Sequence, residues 1–375
     1  MAGAARRFTV TTRPAVARAE TVGSLLRPPE LLAARRDLVE GRGTPERVRE
    51  LEDAAVLEAI RLQESVGLDV ISDGEMRRRG WAATTEALEG FEPRPGGPGL
   101  TWRGVGPEVR TDAGYPTVVR QISPRRSLAE EYAFLAEHAH LRAKCCLPAP
   151  SYHRRFWYQQ YSSEAYPTCE AFLEAVRDYL REEVARLTEL GCDYVQLDAP
   201  NYGTLCDLEN RRRLESRGHD LDAELAFDVQ LDSSVFEGLP GLTRALHVCR
   251  GNAAGRWHSS GGYGVIAGQL FRGLNVDVLL LEYDTDRAGG FEPLVHVRPG
   301  TVAVLGLLTT KSGALEDEQE VEARIAEAAT VKPLGELALS PQCGFASVAI
   351  GNPVTTDEQQ AKLELVGRVA RRVWG

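Results

Sequence analysis

VDVLLLEYD, residues 276–284, places four apolar residues in a row from Val278 and ends on the acidic pair Glu282 and Asp284. A run this short reads as a strand covered on both faces, the kind a parallel sheet contains, and not as the alternating strand of a half-exposed sheet. Six more runs of this kind follow the same pattern: DVISDGE (69–75), AKCCLPAP (143–150), DYVQLDAP (193–200), ALHVCRG (245–251), VAVLGLLTT (302–310) and LALSPQCG (337–344). An opening strand near ARAETVGS (17–24) brings the count to eight.

Long amphipathic segments separate most of these runs. PERVRELEDAAVLEAIRLQESVGL (45–68) has Thr44 as N-cap and Pro45 at the first helical position, and CEAFLEAVRDYLREEVARLTELG (169–191) ends on a capping glycine. Repeated β-α order implies a parallel sheet, and eight units closing on themselves predict a (β/α)8 barrel, with an open doubly wound sheet as the rival. Neither GxGxxG after an early strand nor GxxxxGK[ST] occurs, so dinucleotide-fold and P-loop readings have no motif. The expected organisation is one α/β domain over 1–375. An insertion at about 77–141, holding EPRPGGPG and a β-hairpin within 100–123, follows strand two; a helical excursion over 201–240 follows strand four.

Composition narrows the function classes. A net charge of -10 argues against a nucleic-acid surface, which needs a basic face. Seven cysteines, an odd number, and the absence of an export signal predict reduced thiols in a cytoplasm. No apolar stretch approaches the roughly 18 residues that cross a bilayer. Only Lys144, Lys311, Lys332 and Lys362 among the 44 basic residues are lysines. The expected partners are small molecules, with a homodimer compatible with apolar positions on the outer helices.

Active sites of such barrels lie at the C-terminal ends of the strands. Those ends carry Gly23, Ser24, Asp73, Glu75, Asp198, His247, Cys249, Glu282, Asp284, Thr310, Lys311 and Cys343. A lone HxC is weak, since Cys and a strand-end His are often simply buried. Strands five, six and eight, however, would deliver His247, Cys249, Glu282 and Cys343 to one rim, a donor set of one nitrogen, one oxygen and two sulfurs that suits zinc. Zinc held by two thiolates and a histidine activates water poorly but holds an incoming thiol as thiolate, with Glu282 the exchangeable ligand. Asp198 and Glu75 suit an ammonium, and the main chain at Gly23 and Ser24 suits a carboxylate, so an amino-acid thiol would be gripped at both ends. Equally, Asp198 could cap a helix and Ser24 could be a turn residue.

RAETVGSLLRP (18–28), LDVISDGEMRR (68–78), YVQLDAP (194–200), LHVCRGN (246–252), LLLEYD (279–284) and LSPQCGF (339–345) together resemble the catalytic barrel of cobalamin-independent methionine synthase, and more closely its short single-barrel relatives. The resemblance runs from about residue 17 to 375. It implies a zinc-dependent methyltransferase that methylates homocysteine, with zinc ligands His247, Cys249, Glu282 and Cys343 and with Ser24, Glu75 and Asp198 holding the amino acid. The full-length family carries a His and Ser in the strand-seven loop as the acid for the folate leaving group; here TTKSG puts Lys311 in the His position, and an ordinary Lys donates protons poorly at neutral pH. Lys311 and Asp198 are thus the catalytic candidates, and the donor stays open among methyltetrahydrofolate, S-methylmethionine and a corrinoid. A second resemblance, to epoxyalkane coenzyme M transferases, would use Arg27, Arg77, Arg78, Arg79 and Lys311 for a sulfonate. Uroporphyrinogen decarboxylase, a metal-free relative by fold, is opposed by the strand-end Cys and His residues. A closed structural or regulatory zinc site is the non-enzyme alternative.

Overall fold

The computed structural model describes residues 16–94, 99–111 and 116–375. Six strands form one parallel sheet: Cys145–Pro148, Tyr194–Asp198, Thr243–Val248, Val278–Glu282, Val302–Leu308 and Leu337–Pro341, each beside its sequence neighbour. Val70–Ile71 pairs in parallel with Arg142–Ala143, which runs on through Lys144 into the first of the six. Parallel bridges join Ala19 to Leu339 and Glu20 to Val70. The two bridges close the ring of eight segments. The expected first strand is therefore present only as this short bridged segment.

Closure divides the apolar side chains into two populations. Val22, Val70, Tyr194, Ala245, Val278, Leu280, Val302, Val304 and Ala338 form a separate cluster inside the ring. A much larger cluster, including Leu246, Leu279, Leu281 and Leu305, joins the outer faces of the strands to the helices. Period-two alternation explains both: on Val278–Glu282, residues 278, 280 and 282 turn inward, and 279 and 281 turn outward. Because both faces are covered, the strand is apolar throughout until it emerges at the rim as Glu282.

The caps expected at Thr44 and Gly191 form, and Thr168 and Gly67 supply the other two. Thr44 Oγ1 accepts from Arg47 N at 3.3 Å at the start of helix Pro45–Ser65, and Thr168 caps Cys169–Glu189. Gly67 and Gly191 follow these helices at φ of 78° and 88°.

The insertion after strand two differs from one hairpin. Leu88–Pro93 pairs antiparallel with Pro116–Pro124, and Leu100–Trp102 with Val109–Thr111, giving two nested ribbons. Residues 95–98 of EPRPGGPG and 112–115 of the expected hairpin lie outside the described residues, as does the 1–15 opening. The excursion after strand four is helical: Pro200–Cys206, Leu208–Glu215 and Leu221–Ser234. No helix among the described residues is long and apolar enough to cross a membrane.

Leu305 is fully buried between strand and helices, so Leu305→Ala should lower stability by about 2–5 kcal/mol. Denaturant titration would show this as a reduced midpoint at unchanged slope.

Candidate metal centre and the cavity beside it

His247 is the inward residue near the end of Thr243–Val248, and Cys249 follows that strand. Glu282 ends its strand, and Cys343 lies just past Leu337–Pro341. The ladder levels them: His247 pairs with Asp198 on one side and Leu280 on the other. One ligand atom from each of His247, Cys249, Glu282 and Cys343 lies within 4.8 Å of all the others. The Cys249 and Cys343 sulfurs are 3.6 Å apart. That is far beyond a disulfide bond and near the about 3.8 Å edge of a tetrahedron with zinc–sulfur bonds of about 2.3 Å.

The polar atoms of the cluster also fit a cation. Both ring nitrogens of His247 and Oε2 of Glu282 are buried without a hydrogen-bond partner, a costly arrangement that a bound metal ion relieves. Glu282 Oε1 accepts from Arg250 N at 2.7 Å, and Cys249 Sγ accepts from Gly251 N at 3.3 Å. The hydrogen bond between the two sulfurs, together with His247, holds the Cys343 thiol well below its ordinary pKa in spite of burial. The same hydrogen bond, with burial, pushes Cys249 well up. Burial alone would lower the His247 pKa; Cys343, Asp198 and Glu282 overcome it and leave it raised.

A cavity of about 210 Å³ opens on the cluster. Its wall contains His247, Cys249 and Cys343 together with Gly23, Ser24, Glu75 and Asp198. The candidate amino-acid residues, drawn from strands one, two and four, therefore share a wall with three of the candidate metal ligands. Glu75 reaches the cavity through an unusual turn: Gly74 and Glu75 both have positive φ, 66° and 56°, and Glu75 N donates to Asp73 Oδ1 at 2.9 Å. A left-handed non-glycine residue is strained, and here the strain aims a carboxyl into the site. Gly23 stands close to this carboxyl: a Cβ there would lie 2.9 Å from Glu75 Oε1 and force it to shift. Burial lifts Glu75 to a pKa of about 8 and Asp198 to about 6.

The structure corrects the place of several cations. Lys311 does not line this cavity: its Nζ lies 4.0 Å from Glu282 Oε2, beside Arg287 Nη2 at 3.6 Å. Against the burial that would raise it, Lys311 and Arg287 hold the Glu282 carboxyl below its ordinary pKa. Lys311 thus stands beside the candidate-ligand carboxylate and off the wall of this cavity. Arg27 donates to the carbonyls of Glu75, Arg78 and Ala346, Arg77 to Asp53, and Arg78 to Glu131 and the carbonyl of Cys146. Arg79 is exposed. None of these four arginines lines the cavity.

Other wall residues were not foreseen: Trp81, Leu100, Trp102, Tyr152, Arg155, Asn252 and His258. Trp102 comes from the inner ribbon, whose neighbour Arg103 bridges Trp257, and its ring meets His258 edge-on at 5.3 Å. Tyr152 and Arg155 follow strand three directly, so the strand-end rule applied to PSYHRRFW (150–157) would have found them.

Replacing Cys249 or Cys343 by Ser should weaken zinc binding by more than the about 10–100-fold that changes around a ligand shell cost; metal content after dialysis measures it. For Glu75 the unfolded carboxyl ionises near 4.5 and the folded one near 8. Between these values the unfolded state holds fewer protons, so stability falls as pH rises through this window. Denaturation of Glu75→Gln over the same range should lack this slope.

Residues 169–370 match the family model described as the catalytic domain of cobalamin-independent synthase. A Bacillus subtilis (strain 168) protein, designated uncharacterized protein YxjH, is 35% identical over 367 residues, covering 96% of each chain. A Listeria monocytogenes crystal structure, provisionally assigned as a vitamin-B12 independent methionine synthase, superimposes with a TM-score of 0.74 at 30% identity, over 96% of this chain and 98% of that one. At 19% identity, a Shewanella sp. W3-18-1 B12-independent methionine synthase shares the fold, with a TM-score of 0.73 over 95% and 97% of the two chains. With the family model covering more than half of its length, and with the barrel and the rim cluster in place, the chain belongs to the cobalamin-independent methionine synthase catalytic-domain family.

Proposed function

We propose that this protein is a zinc-dependent thiol methyltransferase that makes methionine from homocysteine and a methyl donor. The observation that carries the reading is the shared wall: the two sulfurs and the imidazole of the candidate metal cluster face the same cavity as Glu75 and Asp198. His247, Cys249, Glu282 and Cys343 would hold the zinc, which supplies a Lewis acid that keeps a substrate thiol deprotonated near neutral pH.

The protein's own groups do the rest. Glu75 and Asp198 accept the ammonium of the amino acid, and the main chain at Gly23 and Ser24 is the candidate carboxylate seat. Held at both ends, the amino acid directs its sulfur toward the metal cluster, so orientation is set before the donor reacts. Trp81, Trp102 and Tyr152 wall the cavity and exclude water from the nucleophile. His258 is no proton donor to the leaving group at neutral pH, since burial and Arg155 push it down to about 3. With Lys311 paired to Glu282 as well, the reading favours a donor whose leaving group departs without protonation.

Opening of an epoxide by a sulfonate thiol is the second reading, favoured by Arg155 on the cavity wall. The two are separated by zinc content and a zinc-edge absorption spectrum recorded before and after adding homocysteine or coenzyme M. The expected result is bound zinc that gains a sulfur neighbour with homocysteine and not with coenzyme M. Gain with coenzyme M alone would support the epoxide reading. Absence of zinc, or a coordination shell indifferent to both thiols, would overturn the thiol-transfer mechanism.

A further inference from the structure

We infer that Lys144 and Gln196, inside the barrel, are positioning residues that hold Asp198 as a fixed acceptor and so make the site select thiols carrying an amine. The inference rests on the zinc-thiol reading above and adds residues that never touch substrate.

Alternation on Tyr194–Asp198 turns Tyr194, Gln196 and Asp198 inward at successive heights. Lys144 donates from Nζ to Glu20 Oε2 at 2.6 Å and to Gln196 Oε1 at 2.8 Å. Tyr194 donates its hydroxyl to the same Glu20 carboxylate at 3.0 and 3.1 Å. These four side chains are at most 1% exposed. An ammonium can only donate, so Gln196 must present its carbonyl oxygen to Lys144. Its amide NH₂ therefore points the other way, to Asp198 Oδ1 at 2.7 Å and Val22 O at 2.9 Å. Turning the amide over would set N–H against Lys144 and a carbonyl against a carboxylate, and both contacts are repulsive.

Lys144 thus dictates which end of Gln196 meets Asp198. One carboxylate oxygen of Asp198 is taken, and Oδ2 is left for a ligand in the cavity that Asp198 lines. Glu75 Oε2 is buried without a partner, and a ligand-type oxygen of Glu75 lies within 4.8 Å of one of Asp198. Two acceptors this close suit a group with several N–H donors and repel a sulfonate or a carboxylate, which only accept. Glu20 and Lys144 neutralise one another, so the network orients Asp198 without adding net charge beside it.

The test compares homocysteine with 4-mercaptobutanoate, the same thiol without its amine, in the zinc-loaded protein, reading sulfur binding at the zinc edge and metal content together. Gln196→Leu removes all three of its side-chain hydrogen bonds, the one from Lys144 and those to Asp198 and Val22 O. Gln196→Glu keeps the size and the Lys144 partner but turns a carboxylate oxygen toward Asp198, so it serves where the leucine variant fails to fold. Wild type should prefer homocysteine. Each variant should lose about tenfold or more of that preference, with 4-mercaptobutanoate affinity and zinc content unchanged. Lys144→Met should move the same way by less, since Gln196 then keeps its amide but loses what orients it. A wild-type preference surviving in Gln196→Glu would overturn the inference while leaving the zinc-thiol reading intact, and parallel loss of both thiols with zinc retained would do the same. Binding of neither thiol by wild type would sink both.

Discussion

A strand in a closed parallel barrel has two directions for its side chains, the interior and the helix layer, and the parity of each residue decides between them. The site depends on this constraint. On Val278–Glu282, residues 278 and 280 fill the ring with hydrocarbon, and the next residue of the same parity, Glu282, emerges as a candidate metal ligand. On Tyr194–Asp198 the same alternation stacks Tyr194, Gln196 and Asp198. A shift of one residue in either ladder would exchange the interior set for the outer one, so the two bridges at Ala19 and Glu20 that close the ring also set the heights of the functional groups.

Around the rim, charges are separated by sign. Lys311 and Arg287 stand beside Glu282, while Glu75 and Asp198 face the cavity. Buried cations beside a ligand carboxylate keep it ionised and ready for a metal, whereas two neighbouring buried carboxyls resist ionisation until a cation arrives. The cation-flanked Glu282 is thus stabilised as an anion, whereas ionising the buried pair Glu75 and Asp198 costs native stability until a cation faces them. Binding energy that would otherwise appear as native stability is reserved for ligands.

Much of this was readable from the chain. Buried parallel strands announce themselves as short apolar runs, and those runs end where chemistry begins, so all four candidate metal ligands and Glu75, Asp198, Gly23 and Ser24 could be placed on one rim. The neighbour of Lys311 was not legible, because position along the chain does not report which way a loop side chain turns; its ammonium lies 4.0 Å from the Glu282 carboxylate. The sulfonate-site arginines failed for a similar reason, since carbonyls and carboxylates of the fold itself take their guanidinium groups. The first strand was legible as a pattern but pairs through only two bridges, and the insertion folded into nested ribbons because strand pairing depends on register that composition does not encode.

The inner ribbon, Leu100–Trp102 with Val109–Thr111, supplies part of the cavity wall yet contributes nothing to the barrel ladder. It is tied to the loop beyond Cys249 by the antiparallel bridge Arg103 to Trp257, by Arg256 donating to the carbonyl of Pro107 and by Trp102 resting on His258, and Arg103 also pairs with Glu209. The molecule thus holds its cavity by two means, the strand ladder at the rim and the side-chain contacts of the ribbon. The candidate metal ligands, with Glu75 and Asp198, are tied to the strand ends, and a one-residue slip would unmake the ring and the cluster together. Because the ribbon sets no barrel register, changing Leu100 or Trp102 would reshape the cavity wall while leaving the candidate metal cluster in place.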